Sequence, residues 1–140
     1  MKNFVHSQIV KLKLESNFHL LGAFPSTEMP SFFSCADALI VSLKKDPIFS
    51  CTIPSKIQSY LACGKPIITS LDGEGSRIIE ESNAGFISPS EDPISLAYAV
   101  KKFLDLTLEE QKILGCNARN YFDKEFEREL LVDKLETILQ

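Results

Sequence analysis

Two short runs of this sequence, Ala38-Leu39-Ile40-Val41-Ser42-Leu43 and Pro66-Ile67-Ile68-Thr69, are almost wholly apolar and do not alternate with polar residues. A strand with one face in water alternates, so unbroken apolar runs predict strands of a parallel sheet that is covered by helices on both faces. Between them, Pro54 to Cys63 predicts such a helix, with Ile57, Tyr60 and Leu61 inward and Gly64 ending it. The fold class is therefore α/β, a parallel sheet with flanking helices.

The same cycle continues in both directions. Residues 3–15 place Val5, Ile9 and Leu12 on one helical face before Asn17 breaks the pattern, and Phe18-His19-Leu20-Leu21 predicts a short strand ending at Gly22. Ser26 or Thr27 can cap a helix carrying Met29, Phe32, Phe33 and Ala36, with Pro30 tolerated in its first turn. After the polar loop Asp72-Gly73-Glu74-Gly75-Ser76, Arg77 to Ser82 predicts a short helix and Gly85-Phe86-Ile87 a final strand. The remainder reads as a helical C-terminus: Pro93 to Leu104 behind Glu91 and Asp92, Leu108 to Phe122, and a last helix lined by Leu131, Leu135 and Ile138. No repeat or linker divides residues 1–140, which read as a single domain.

Composition excludes several functions. The 140 residues are 44% hydrophobic and 24% charged, as in ordinary globular domains. A net charge of −4 gives no footprint for nucleic acid or an anionic membrane. No apolar run approaches the roughly 18 residues of a membrane span, and the start MKNFVHSQIVKLK lacks a signal-peptide core. A soluble, cytoplasmic chain is expected. Cys35, Cys51, Cys63 and Cys116 are widely spaced and only His6 and His19 supply imidazoles, so no metal site is expected. Three of the cysteines, all but Cys51, have apolar neighbours and read as small buried hydrophobes with reduced thiols, a disulfide or a reactive thiol being the alternatives.

In such a sheet, ligands bind where strand carboxyl ends meet helix N-termini, which directs attention to the loops at 22–28, 43–56 and 70–77. Pro54 can set the first turn of its helix, leaving the N–H groups of Ser55, Lys56 and Ile57 pointing outward at the positive end of the helix dipole. The Ser55 hydroxyl and the Lys56 ammonium beside those amides suit a phosphate; a plain capped helix start that binds water is the alternative.

The stretch Pro54-Ser55-Lys56-Ile57-Gln58-Ser59-Tyr60-Leu61-Ala62-Cys63-Gly64-Lys65-Pro66-Ile67-Ile68 resembles the P-S-K-x-x-E-Y-L-A-x-G-K-P-I-I segment of retaining family 4 glycosyltransferases of GT-B fold, in their bacterial surface-polysaccharide branch. Phe18-His19-Leu20-Leu21-Gly22, Glu28-Met29-Pro30, Ala36-Asp37-Ala38-Leu39-Ile40 and the segment from Asp72 to Pro89 are similar to that family in the same order, so the resemblance covers roughly residues 15–140. It implies a Rossmann-like GT-B C-terminal domain that binds a nucleotide-sugar donor, with UDP the commoner base, and needs no metal or other cofactor. It further implies transfer to a lipid-linked saccharide acceptor in O-antigen, capsule or lipopolysaccharide assembly, peripheral to the inner face of the membrane. The implied donor-binding residues are Gly22, Ala23 and Phe24 near the base, and Pro54, Ser55, Lys56, Ile57 and Ser59 near the diphosphate, sugar and ribose. Phe24 as an apolar plug over the sheet edge is the bland alternative.

One departure matters. The family often carries two glutamates separated by seven residues; Ser59 stands at the second place and Cys51, eight positions earlier, at the first. Ser59 can still bond a ribose hydroxyl, about half as strongly as a charged acceptor, or it can lie on the solvent side of its helix; Asp46 is another acid that could reach in. Asp37 reads as structural, Lys44, Lys45 and Asp46 as a solvated loop or as ligand contacts, and Arg77 as a ligand contact or a partner of Glu74 or Glu81.

The family's acceptor-binding N-terminal domain and the first two strands of its second domain have no counterpart in the 140 residues. In the family's sheet order 3-2-1-4-5-6, the 18–21 strand would be third and the 38–43 strand fourth, leaving a gap. Either the 18–21 strand meets its new neighbour directly or strands are exchanged in a homodimer, and the chain alone is expected to lack transferase activity. A non-catalytic fragment or degenerate paralogue that binds a partner or nucleotide is the second reading. A flavodoxin-like module is the third, disfavoured because no acidic cluster or phosphate loop follows a first strand.

Overall fold

A computed structural model describes residues 2–139. Three parallel strands, β1 (Leu39–Ser42), β2 (Ile67–Ser70) and β3 (Gly85–Ser88), lie in the order β1-β2-β3, with Leu39 opposite Ile67 and Ile67 opposite Gly85. Helices fill the connections: α1 (Lys2–Lys11), α2 (Met29–Ser34), α3 (Pro47–Ser50), α4 (Ser55–Ala62), α5 (Glu74–Ser82), α6 (Pro93–Leu104), α7 (Leu108–Glu125) and α8 (Arg128–Leu139). This is the helix-rich α/β arrangement with a helical C-terminus that the sequence predicts, consistent with a Rossmann-like GT-B C-terminal domain.

The starts of the later helices follow from their residues. Asp92 accepts the Ser95 amide at 2.9 Å at the head of α6, and at α7 Thr107 and Glu110 cap one another's backbone reciprocally. One sheet face packs Leu39, Val41 and Ile67 against Ile57 and Leu61 of α4, Ile79 of α5 and Ala118 of α7; on the other, Ile68 meets Ala99 and Phe103 of α6. Each large apolar side chain buried in these layers contributes about 1.5–3 kcal/mol.

Both faces are covered along β2, whose four residues are all buried. β1 departs from that expectation: Leu39 and Val41 are buried, while Ile40 is 51% exposed on the opposite face. α6 lies over β2 and β3, which leaves that face of β1 open. The 18–21 segment is not a strand. All four residues are exposed, and they join no ladder among the described residues. The amides of Leu39 and Leu43 donate toward β2, to Pro66 and Ser70, and nothing described pairs with the other edge of β1. An extended segment becomes a strand only when a neighbour satisfies its backbone, so an apolar run alone does not suffice.

Other boundaries differ locally. α1 ends at Lys11, and the chain turns through Lys13 at φ 55°. Ser26 and Thr27 do not cap α2; they form a 3-10 turn, Ser26–Glu28, that leads into it. α5 begins at Glu74 rather than Arg77. α3 is an addition to the predicted elements. Cys35 and Cys116 are exposed and Cys63 half-buried, so none is the buried hydrophobe expected; short apolar flanks do not place a residue on an inward face.

Candidate functional site

The loops after β1, β2 and β3 meet at the carboxyl end of the sheet, where α4 and α5 begin. Pro54 stands one place outside α4, as its N-cap in extended conformation, rather than in the first turn. Its carbonyl accepts the Ile57 amide at 2.9 Å, a tight first turn of the 3-10 kind. Ile57 is therefore not a free donor, and its side chain is fully buried. The outward-pointing amides are two, those of Ser55 and Lys56, which have no partner among the described residues. The Lys56 side chain is exposed and lies in no ion pair among the described residues.

Other nearby groups are committed to the protein itself. The Ser59 hydroxyl donates back to the Ser55 carbonyl at 3.2 Å, as serines within helices do. Asp46 caps α3, accepting the Ile48 amide at 2.8 Å, and Cys51 ends that helix, exposed. Arg77 bonds both Glu74, at 2.7 Å, and Glu81, which raises its pKa further and holds Glu81 below the usual carboxylate range, with the Tyr121 hydroxyl assisting. Of the two readings of Arg77, the geometry supports pairing. Lys44 and Lys45 are exposed beyond β1.

Gly22, Ala23 and Phe24 are exposed, Gly22 at φ +95° with open space around it. No hydrogen bond or ring contact among the described residues joins them to the 54–59 segment. Phe24 packs on Phe32 of α2 instead, ring centres 4.5 Å apart.

Sequence reasoning pointed to the loop after β2 but missed the role of Asp72 within it. Asp72 accepts from the Ser90 amide at 3.2 Å and from the Ser90 hydroxyl, and these bonds, with the charge of Lys45, hold its carboxyl below the ordinary aspartate value. The loop after β2 is thereby tied to the loop after β3. A cleft of about 250 Å³ opens there between Leu71, Asp72, Gly73, Ser76, Ile87 and Ser88. The paired glycines of Asp72-Gly73-Glu74-Gly75-Ser76 were the available signal. A larger cleft, about 540 Å³, lies at the opposite, amino end of β1 and β2 beside Asp37, Lys65 and Arg119. Two of its cations serve local carbonyls: Lys65 reaches Ser34 at 2.8 Å, and Arg119 reaches Ala62 at 2.8 Å and also pairs with Asp123.

Among the described residues, no group of three or more His, Cys, Asp or Glu could hold a metal ion, and no helix is long and apolar enough to cross a membrane.

Residues 1–121 match the family described as Glycosyl transferases group 1. The chain is 28% identical over 115 residues to the probable glycosyltransferase WbjE of Pseudomonas aeruginosa, covering 81% of this chain and 28% of that protein. It is 24% identical over 133 residues to the putative colanic acid biosynthesis glycosyltransferase WcaL of Escherichia coli (strain K12), covering 94% of this chain and 33% of that protein. The chain thus spans about a third of the length of the curated relatives it matches. No solved structure matches it.

Proposed function

The chain belongs to the glycosyl transferases group 1 family, and from that premise we propose that it is the donor-binding part of a retaining, GT-B-type glycosyltransferase. The enzyme would move a sugar from a nucleotide diphosphate sugar, with UDP as the base, to a lipid-linked acceptor at the inner membrane face during surface-polysaccharide assembly. The acceptor would be held by a domain outside these residues. The observation that carries this reading is the head of α4, where the Ser55 and Lys56 amides have no partner among the described residues and the Lys56 side chain is exposed.

The chemistry follows from charge. When the bond between sugar and diphosphate breaks, negative charge grows on the departing diphosphate. The Ser55 and Lys56 amides, at the positive end of α4, and the Lys56 ammonium grip that charge more tightly in the transition state than in the ground state. Ser59 takes the ribose once its hydroxyl leaves the Ser55 carbonyl; being neutral, it holds the donor less firmly than a carboxylate would. Gly22, Ala23 and Phe24 take the base. The test is calorimetry with UDP, GDP and their sugars: one of them binds, and if the chain binds none, the reading fails. The chain alone turns over no nucleotide sugar, because catalysis needs groups on both sides of the donor.

The second reading, a non-catalytic chain that binds only a partner or a nucleotide, is favoured by one observation: Cys51 and Ser59 stand where the family often has glutamates. Ser59→Glu separates the donor reading from the partner-binding form of the second. The donor reading expects a severalfold gain in UDP affinity as a charged acceptor meets the ribose; a variant with no gain favours the second reading.

A further inference from the structure

The three loops at the carboxyl end of the sheet are fastened at one short segment, 71–76. Asp72 holds the loop after β3 through Ser90. Gly73 holds the loop after β1: a Cβ there would stand 2.0 Å from the Ser50 carbonyl oxygen and 2.6 Å from Ser50 Cα, so the backbone of Ser50 occupies the space of its missing side chain. Gly73 also sits at φ +76°, ψ −142°, a conformation costly to L-residues other than glycine. Two residues on, Gly75 is buried, and a Cβ on it would press on Ile57 Cδ1 at 3.0 Å and Pro54 Cδ at 3.3 Å, atoms at the head of α4.

We infer that Gly73, supported by Gly75, is a positioning residue for the donor site. By seating the Ser50 backbone it fixes where the Ser50–Pro54 segment delivers the Ser55 and Lys56 amides. This rests on the donor-binding reading for its consequence, though not for its geometry. A side chain at Gly73 pushes Ser50 outward and drags Pro54 and the head of α4 with it, while the sheet and the layers behind it are untouched.

The experiment compares the wild-type chain with Gly73→Ala, with Gly64→Ala as control and with a chain carrying D-alanine at 73, assembled by ligation at Cys63 and Cys116. Gly64 also has positive φ, but it lies between α4 and β2 and a Cβ there meets only ordinary contacts at 3.5 Å. D-alanine accepts the conformation of Gly73 and directs its methyl away from Ser50. Two readouts are taken: amide chemical shifts of Ser55 and Lys56 without ligand, and affinity for UDP and GDP by calorimetry. Gly73→Ala is expected to move both amides and to weaken nucleotide binding tenfold or more. Gly64→Ala leaves the shifts in place, and D-alanine restores them with affinity within about threefold of wild type. Unmoved amides and unchanged affinity in a folded Gly73→Ala chain overturn the inference, as does a D-alanine chain as impaired as the L-alanine one. If Gly73→Ala does not fold, the D-alanine chain alone carries the test. If the wild-type chain binds neither nucleotide, the donor reading falls, and the amide shifts still decide whether Gly73 positions α4.

Discussion

The segment Phe18-His19-Leu20-Leu21 and the strand Ile67-Ile68-Thr69-Ser70 are both short and apolar, yet Leu21 is 65% exposed and Ile67 fully buried. The difference lies in the neighbours. β2 has a strand on either side and helices above and below, so its backbone and side chains are satisfied together. The 18–21 segment has no such neighbour among the described residues, and its apolar side chains are exposed. β1 is intermediate, paired on one edge and covered on one face. Burial in this fold is a property of position in the sheet more than of composition.

The largest effect that could break this comparison is a core truncation. Leu61→Ala, fully buried in the last turn of α4, is expected to cost about 3 kcal/mol, and Leu21→Ala to stay within about 0.5 kcal/mol, read from denaturant midpoints at unchanged slope. Similar costs would mean that 18–21 packs after all. Next comes self-association. The open edge of β1, exposed Ile40 and the apolar 18–24 segment predict a dimer that grows with concentration in size-exclusion chromatography with light scattering, and Ile40→Lys should return it to monomer. A wild-type chain that stays monomeric at all concentrations contradicts that part of the account.

The smallest effect is electrostatic. The pKa of Asp72 is lowered in the folded chain by Ser90, so its contribution is present above the ordinary aspartate value and is lost as pH falls through that value and below. Asp72→Asn should slightly lower the melting temperature near neutrality and flatten its decline in acid, while Glu81, Asp92 and Glu110, also shifted down, leave part of the decline in place. Superimposable acid limbs for the two chains would show that the tie to Ser90 is not made in solution.

Much of the fold is legible in the residues because local pattern and tertiary role agree there. Unbroken apolar runs mark β1 and β2, Gly64 marks the end of α4, and Asp92 marks the start of α6. The failures have physical causes. Phe18-His19-Leu20-Leu21 has strand propensity and no described partner, and partners are invisible to local pattern. Asp46-Pro47 is a capping signal for α3 that its brevity concealed. At the site, the head of α4 was legible from Pro54-Ser55-Lys56, but not the closure of its first turn through Ile57 or the return of the Ser59 hydroxyl to Ser55. The seating of Ser50 on Gly73 joins residues far apart in sequence, and only the fold brings them together.

The central claim is that the head of α4 holds a nucleotide diphosphate. Calorimetric titration of UDP and UDP-sugars into the chain and into Lys56→Ala tests it most directly. The account predicts binding by the wild-type chain, weakened about tenfold, or about 1.4 kcal/mol, in the variant, with the melting temperature unchanged. Equal affinity in the two chains, or no binding of any nucleotide or nucleotide sugar by the wild type, would contradict it.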